Sequence, residues 1–197
     1  MFKRQTGITL IETAIALTIV GVIALCAVPS FAAYRRQSSV LAAAHEMRTL
    51  LREIRFRAIA HGGYSGVKFV RTANNNWTYT LYDDGNANGI YNADITKGID
   101  KRYFGPAVVM PSFHTATISL LPKTIRDPDG AKLLPTDNAL QFGSSTICSF
   151  SDQGGGTPGT IYISDGVSNL YCVRVFGATG RIRILRYDSG KAKWEER

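Results

Sequence analysis

Apolar residues follow two different arrangements in the first third of the chain. Residues 13–34 form an uncharged and almost wholly apolar run, which is long enough to cross a bilayer as a helix of about 20 residues. In residues 35–62 the apolar positions recur at steps of three and four, the period of an amphipathic helix. The stripe predicted to be buried consists of Val40, Ala44, Met47, Leu51, Ile54 and Ala58. Gly62 and Gly63 end the helix, because glycine adopts the backbone conformations that close one.

After residue 63 the pattern changes to short runs rich in β-branched and aromatic residues. Each run is bounded by Gly, Asn, Asp or Pro, which predicts strands. The predicted strands are residues 64–71, 77–83, 116–121, 160–165, 170–176 and 180–187. A long helix followed by separate strands indicates an α+β fold. We therefore expect the second half of the helix, residues 35–62, to pack on a mostly antiparallel β domain of residues 63–197 with a basic C-terminal tail.

The start of the chain is basic and precedes the apolar run. A secretory signal carries its small-residue cleavage site after the apolar core, whereas here Gly7 comes before it. Cleavage after Gly7 would remove residues 1–7 and leave a mature chain that begins at Ile8, with a transmembrane helix over residues 8–34. Basic residues such as Lys3 hold their end of a helix in the cytoplasm. This predicts one pass through a membrane, with the following domain on the side away from the cytoplasm.

Two residues are unusual for a membrane helix. Glu12 lies just inside the apolar run, where an ionisable group costs about 2.5 to 3.5 kcal/mol on insertion scales. Pro29 stands within the helix, where it removes a backbone donor and favours a kink. Glu12 is therefore a candidate functional residue, unless it only rests among the headgroups of a single-pass anchor.

The segment Gly7-Ile8-Thr9-Leu10-Ile11-Glu12, together with Pro29, resembles the signal of type IV prepilins and type II secretion pseudopilins. The resemblance implies a type IV pilin-like fold, cleavage by a prepilin peptidase after Gly7 and methylation of the new N-terminus. It further implies that the membrane is the bacterial inner membrane and that the globular domain lies in the periplasm. It also implies that Glu12 pairs with the N-terminal amine of a neighbouring pilin or pseudopilin during assembly, since buried charges are tolerated when paired. Ile8 departs from the usual first mature residue, phenylalanine, so a methylated phenylalanine is excluded.

Charge narrows the choice of partners. The chain has 23 Lys plus Arg against 15 Asp plus Glu, a net charge of +8. Loss of Lys3 and Arg4 with residues 1–7 leaves 21 against 15, or +6. A basic surface of this kind favours nucleic acid, anionic lipid or an acidic partner.

The basic residues gather near the C-terminus. Gly180-Arg181-Ile182-Arg183 is followed by Arg186, Lys191 and Lys193. In a strand Arg181 and Arg183 share a face and lie about 7 Å apart, which matches the phosphate spacing along one DNA strand. The pattern predicts sequence-independent, salt-sensitive binding of double-stranded DNA; the alternative is that the arginines simply cover a solvent-exposed strand.

This segment, which follows Cys172, resembles the end of the GspH/FimT branch of minor pilins. In the FimT subgroup a Gly-Arg-x-Arg motif is associated with DNA capture during natural transformation, and Gly180, Arg181 and Arg183 match it. The resemblance implies a minor type IV pilin in or at the tip of a pilus, extracellular once assembled. The alternative is a GspH-like pseudopilin of a type II secretion system, with a structural role and no DNA binding.

Two further groups of residues leave alternatives open. Cys148 and Cys172 fall in the exported domain, where an oxidising periplasm permits a disulfide between them; two buried thiols are the alternative. Arg48, Arg52 and Arg55 share a second face of the predicted helix. They are a solvated face, contacts to neighbouring subunits, or contacts to DNA.

Metal, cofactor and catalytic sites find little support in the sequence. The loop from Asp84 to Asp94 spaces oxygen side chains as a calcium loop does, but Ile95 stands where that loop needs a glutamate. An Asn-Gly turn is the alternative. The histidines lack ligand spacing, and no nucleophile elbow is present. We therefore predict no metal site, no cofactor and no enzymatic activity.

Overall fold

The fold begins with a single long helix and continues with antiparallel strands. The computed structural model describes residues 9–73, 76–110, 113, 115–130, 134 and 138–197. Helix α1 spans Leu10–His61, and a short helix α2 spans Asn92–Lys97. The strands are β1 Ser65–Arg71, β2 Trp77–Asp83, β3 Lys101–Val108, β4 Thr117–Ile118, β5 Leu140–Phe142, β6 Ile147–Phe150, β7 Gly159–Ser164, β8 Leu170–Phe176, β9 Arg181–Asp188 and β10 Lys193–Glu196. This is the pilin-like α+β architecture that the sequence predicts.

The chain divides into two compact units, Met1–Arg36 and Gln37–Arg197. In the described part of the first unit, α1 exposes large apolar side chains, and Leu10 is 89% and Leu25 77% exposed. An exposed apolar surface of this kind marks a membrane or protein contact. By length and composition, α1 is the one described helix that is long and apolar enough to cross a membrane. The helix assignment continues through Pro29, and the predicted kink there stays a prediction.

Two antiparallel sheets form the second unit. The first has four strands in the order β3-β2-β1-β6. The second has the order β10-β9-β8-β7-β4, with β5 also paired to β7. Strand β9 lies between β8 and β10, but β10 pairs only with its second half, Leu185–Asp188. The first half of β9 therefore lacks a strand partner on that side among the described residues.

The buried stripe of α1 joins both sheets in one hydrophobic core. All six predicted positions are at most 2% exposed, and Ala43 adds a seventh. Their core neighbours include Phe69 and Phe150 from the first sheet and Ile161 and Val173 from the second. Because each large apolar side chain contributes about 1.5 to 3 kcal/mol on full burial, this stripe fixes the C-terminal half of α1 against the sheets.

An ion pair also joins α1 to the first sheet. The Arg57 Nη2 atom lies 2.6 Å from Asp83 Oδ2, and the hydroxyl of Ser65 donates to Asp83 Oδ1 at 2.7 Å. The Arg57 guanidinium also stacks over the ring of Tyr103, 3.8 Å from its centroid. Partial burial opposes ionisation of Asp83, but the hydrogen bonds from Arg57 and Ser65 outweigh it and hold the pKa of this carboxyl below its usual value.

Several elements differ from those predicted. The strands at 77–83 and 170–176 are confirmed to the residue, whereas the predicted strand 116–121 is reduced to Thr117–Ile118. Strand β3 was not predicted because it is a charged, half-exposed edge strand that contains Pro106, and proline is confined to such edges. Strands β5, β6 and β10 are too short, or too polar, to show a period-two pattern.

Candidate nucleic-acid interface

Gly180 sets the position at which β9 begins. Its φ is +56°, and a Cβ added to it would collide with the carbonyl oxygen of Gly154 and lie 2.9 Å from Arg55 Nε. Both the left-handed conformation and the close approach require glycine. The glycine of the predicted motif therefore allows the start of β9 to pack tightly against the loop that contains Gly154.

Arg55 holds this same corner from the helix side. Its Nε donates to the carbonyl oxygen of Gly154 at 2.8 Å, and its Nη2 donates to that of Thr179 at 3.1 Å. Two loops that are distant in sequence are thus tied to one side chain of α1. Arg55 is committed to backbone carbonyls, so its charge reaches a ligand less freely than that of an exposed arginine.

Arg181 and Arg183 occupy alternate positions of β9 and share a face. They pair in register with Phe176 and Arg174 of β8, and the guanidinium of Arg183 lies 5.4 Å from the ring centroid of Phe176. The side chain of Arg181 is 60% exposed and that of Arg183 is 32% exposed. The guanidinium of Arg181 is therefore presented at the surface, and that of Arg183 only in part.

A carboxylate from β10 lies between these two arginines. Glu196 Oε1 is 3.8 Å from Arg181 Nη2, and Glu196 Oε2 is 3.1 Å from Arg183 Nη1. The Nε atom of Arg183 is buried and has no hydrogen-bond partner, the one such side-chain atom found in the described part of the chain. An unpaired buried donor is costly, so the guanidinium of Arg183 is not fully satisfied within the chain.

A groove of about 350 Å³ runs between α1 and the start of β9. Its charged lining residues are Arg48, Arg52, Arg55, Arg181, Arg183, Arg197 and Glu196. We call this surface the arginine groove. Six arginines against one glutamate make it strongly positive, and the walls concentrate that field for an approaching anion.

The pKa of Arg48 reflects both its partial burial and repulsion from a neighbouring positive charge. Partial burial and the neighbouring Arg52 lower the pKa of Arg48. Its Nη2 lies 2.8 Å from Nδ1 of His45, whose own pKa is lowered by burial and by Arg48. His45 therefore stays neutral near pH 7 and adds no further positive charge, and a bound anion would relieve the repulsion between Arg48 and Arg52.

The other predicted basic residues lie apart from the arginine groove. Arg186 has the opposite parity from Arg181 and Arg183 in β9, so strand alternation assigns it to the other face. Lys191 lies in the turn before β10 and pairs with Glu195 at 2.8 Å and with Asp188 at 3.6 Å. Lys193 opens β10. The structure thus brings Arg181 and Arg183 together with arginines of α1 and with Arg197, rather than with Arg186, Lys191 or Lys193.

Cys148 and Cys172 are free thiols in the structure, so the predicted disulfide is not formed. Cys148 belongs to β6 in the first sheet and Cys172 to β8 in the second, and both are fully buried. Burial raises the pKa of both thiols, which keeps them protonated and unreactive.

The loop after β2 is closed by its own hydrogen bonds. Asp84 accepts hydrogen bonds from the backbone N–H groups of Asn86, Ala87 and Gly89. Asp100 accepts one from the backbone of Tyr91. Among the described residues no group of three His, Cys, Asp or Glu side chains is placed to hold a metal ion. The oxygen side chains of this loop are thus engaged in an Asx-type turn.

Glu12 caps the first turn of α1. Its Oε2 accepts hydrogen bonds from the backbone N–H and the hydroxyl of Thr9, both at 2.8 Å. The backbone N–H of Glu12 donates in return to Thr9 Oγ1 at 3.3 Å, which completes a capping box. Gly7 and Ile8 lie outside the described residues.

Comparison with known proteins identifies the start of the chain. Residues 2–27 match the family model described as the prokaryotic N-terminal methylation motif. No curated protein and no solved structure gives a significant match. The motif marks structural rather than catalytic proteins, which a prepilin peptidase processes and which assemble with other pilins. Together with the exposed apolar helix and the antiparallel sheets, it indicates that this chain is a prokaryotic prepilin-like protein, of the type IV pilin or pseudopilin kind.

Proposed function

We propose that the chain is a minor type IV pilin of the GspH/FimT kind that binds extracellular double-stranded DNA in the arginine groove during natural transformation. The observation that carries this proposal is the convergence of six arginines from α1, β9 and the end of the chain on one surface. Apart from Arg55, which ties two loops to α1, such a cluster adds little stability to the domain, since like charges repel. A polyanionic ligand would neutralise these charges and so accounts for the cluster.

The chemistry of the groove suits a phosphate backbone. Guanidinium groups bind phosphate oxygens through two parallel hydrogen bonds, and Arg181 and Arg183 present such groups from one strand. Arg48 and Arg52 present two more from α1, on the opposite wall. Contacts of this kind read charge and not base sequence, so uptake would accept DNA of any sequence.

The test is DNA binding by the full chain in non-ionic detergent, measured by anisotropy of a labelled duplex at about 50 mM and about 200 mM salt. Replacing Arg181 and Arg183 together by alanine should weaken binding at least about tenfold, because two charge-assisted contacts are lost. The matched control is the Lys191 and Lys193 double alanine variant, which removes the same charge outside the groove. Equal losses in the two variants, or binding that ignores salt, would contradict the proposal.

Replacing Arg48 and Arg52 by alanine tests the second wall of the groove. We expect a loss comparable to that of the β9 variant and a shallower dependence of the affinity on salt, because fewer phosphates are neutralised. An unchanged affinity would restrict the interface to β9.

One observation favours a second candidate, a GspH-like pseudopilin that acts structurally in type II secretion. Both motif arginines already have a partner in Glu196, as arginines with a purely structural role would. A folded wild-type chain that binds no duplex at low salt would support this candidate instead.

We also propose that assembly proceeds through Glu12. Removal of residues 1–7 frees the amine of Ile8, and the Glu12 carboxylate of one subunit pairs with that amine of the next. The hydrogen bonds from Thr9 hold the carboxylate ready in a single subunit. A Glu12→Gln variant should be processed normally but stay in the membrane fraction when filaments are sheared from cells.

A further inference from the structure

The position of Glu196 is fixed by the sheet and not by the arginines alone. Strand β10 pairs with β9 in a register that sets Glu196 opposite Leu185. The next residue continues the contact, since the backbone N–H of Arg197 donates to the carbonyl oxygen of Ile184 at 3.1 Å. The backbone therefore delivers the Glu196 carboxylate to the two motif arginines before any ligand arrives.

This carboxylate stands where a phosphate would bind. Its two oxygens each face one guanidinium, at 3.8 Å from Arg181 Nη2 and 3.1 Å from Arg183 Nη1. Carboxylate and phosphate oxygens compete for the same donors of an arginine. The side chain of Glu196 is 49% exposed, so it can swing into solvent without disturbing the core.

We propose that Glu196 is an internal competitor of the arginine groove, which occupies the phosphate position of Arg181 and Arg183 in the unbound chain and must leave before an anion binds. This inference rests on the proposed function for the identity of the natural ligand. When only a fraction of the protein is in the binding-competent state, the apparent affinity for any ligand of that state falls by the same fraction. Glu196 therefore weakens the binding of every anion at this position by one common factor. Small anions fall below useful affinity, while DNA retains binding through its many phosphates.

Glu195 provides a matched control on the same strand. It pairs with Lys191 at 2.8 Å and, as the next residue of β10, belongs to the opposite face by strand alternation. Glu195→Gln and Glu196→Gln change the net charge identically and conserve side-chain size. Only the second releases Arg181 and Arg183.

The experiment measures the affinity of the full chain in non-ionic detergent for two probes, a labelled DNA duplex by anisotropy and tripolyphosphate by calorimetry. Glu196→Gln should raise the affinity for both probes by the same factor of about three to five, the range expected for a partly exposed ion pair. Glu195→Gln should change either affinity by less than about 1.5-fold, since its charge is exposed and screened. Glu196→Ala should act in the same direction as Glu196→Gln.

A double-mutant cycle separates the internal pair from bulk charge. In a chain that already carries Arg181→Ala and Arg183→Ala, the Glu196→Gln change should give no gain for either probe. A gain that persists in that background, or equal gains from Glu195→Gln and Glu196→Gln, would overturn the role of Glu196.

The two probes keep this inference distinct from DNA binding. Tighter tripolyphosphate binding by Glu196→Gln, with no duplex bound by any variant, would support the internal competitor and refute the proposed function. Duplex binding by the wild type that Glu196→Gln leaves unchanged would refute the competitor alone. Failure of all variants to bind either probe would overturn both.

Discussion

Replacement of Gly180 by alanine tests how the groove is built. The residue has a φ of +56°, and an alanine there costs about 1 to 2 kcal/mol in backbone strain. The new methyl group would also collide with the carbonyl oxygen of Gly154 and approach Arg55 Nε to 2.9 Å. Overpacking of this kind costs a further 1 to 3 kcal/mol, roughly. We therefore expect Gly180→Ala to lower the free energy of unfolding by about 2 to 5 kcal/mol, the sum of the two effects.

Gly143 offers a control with the same backbone conformation. Its φ is also +56°, and nothing lies within 4 Å of an added Cβ. Gly143→Ala should therefore show only the conformational part, about 1 to 2 kcal/mol. The difference between the two variants isolates the collision at the corner that α1, the Gly154 loop and β9 share.

The assay is urea unfolding of the full chain in non-ionic detergent, followed by the fluorescence of Trp77 and Trp194, which both lie in the second unit. If the chain tolerates the substitution by moving β9 away from α1, duplex binding should fall together with stability. Equal losses for Gly180→Ala and Gly143→Ala would refute the reasoning, since the close contact with Gly154 would then have no energetic effect.

Three further predictions concern the second unit. The pKa of Asp83 is lower in the folded than in the unfolded chain, so its stabilisation is complete only above the unfolded value and is lost as the pH falls below about 4. Asp83→Asn should remove this contribution, so the variant should be less stable than the wild type at neutral pH and the difference should shrink in acid. Urea unfolding at neutral and acidic pH measures both. Leu51→Ala should lower the free energy of unfolding by about 2 to 5 kcal/mol through a core cavity, and a loss under 1 kcal/mol by urea unfolding would contradict the burial of the helix stripe. In a Cys26→Ser chain, Cys148 and Cys172 should react with a maleimide only after denaturation, whereas no reaction even then would show that they form a disulfide.

Local patterns in the sequence predicted the helix and the central strands. The three-and-four spacing of Val40, Met47 and Leu51 shows which face of α1 is buried, because helix geometry alone brings those side chains together. Strands β2 and β8 are flanked by turn residues and carry β-branched and aromatic side chains, so their limits were visible. Edge strand β3 was missed because Gly105 and Pro106 interrupt its run, as residues that usually bound a strand, and because its pairing with β2 is decided by the sheet.

The arginine groove could be predicted only in part. Alternation in β9 shows that Arg181 and Arg183 share a face, but no local pattern indicates that Arg48 and Arg52 lie opposite them across more than a hundred residues. Only tertiary packing of the α1 stripe creates that proximity. The same holds for Glu196, because its position depends on the pairing register of β10 and not on its neighbours in sequence.

The two hydrogen bonds of Arg55 bear on how this surface can diverge among related chains. They end on the main-chain carbonyls of Gly154 and Thr179, which every amino acid supplies. Side chains in these loops can therefore be substituted at positions that need no special φ, and the hydrogen bonds that support the start of β9 are kept. The one side chain that this support requires is that of Arg55 in α1. A substitution of Arg55 would therefore disturb the start of β9 even in a chain whose residues 180–183 are unchanged.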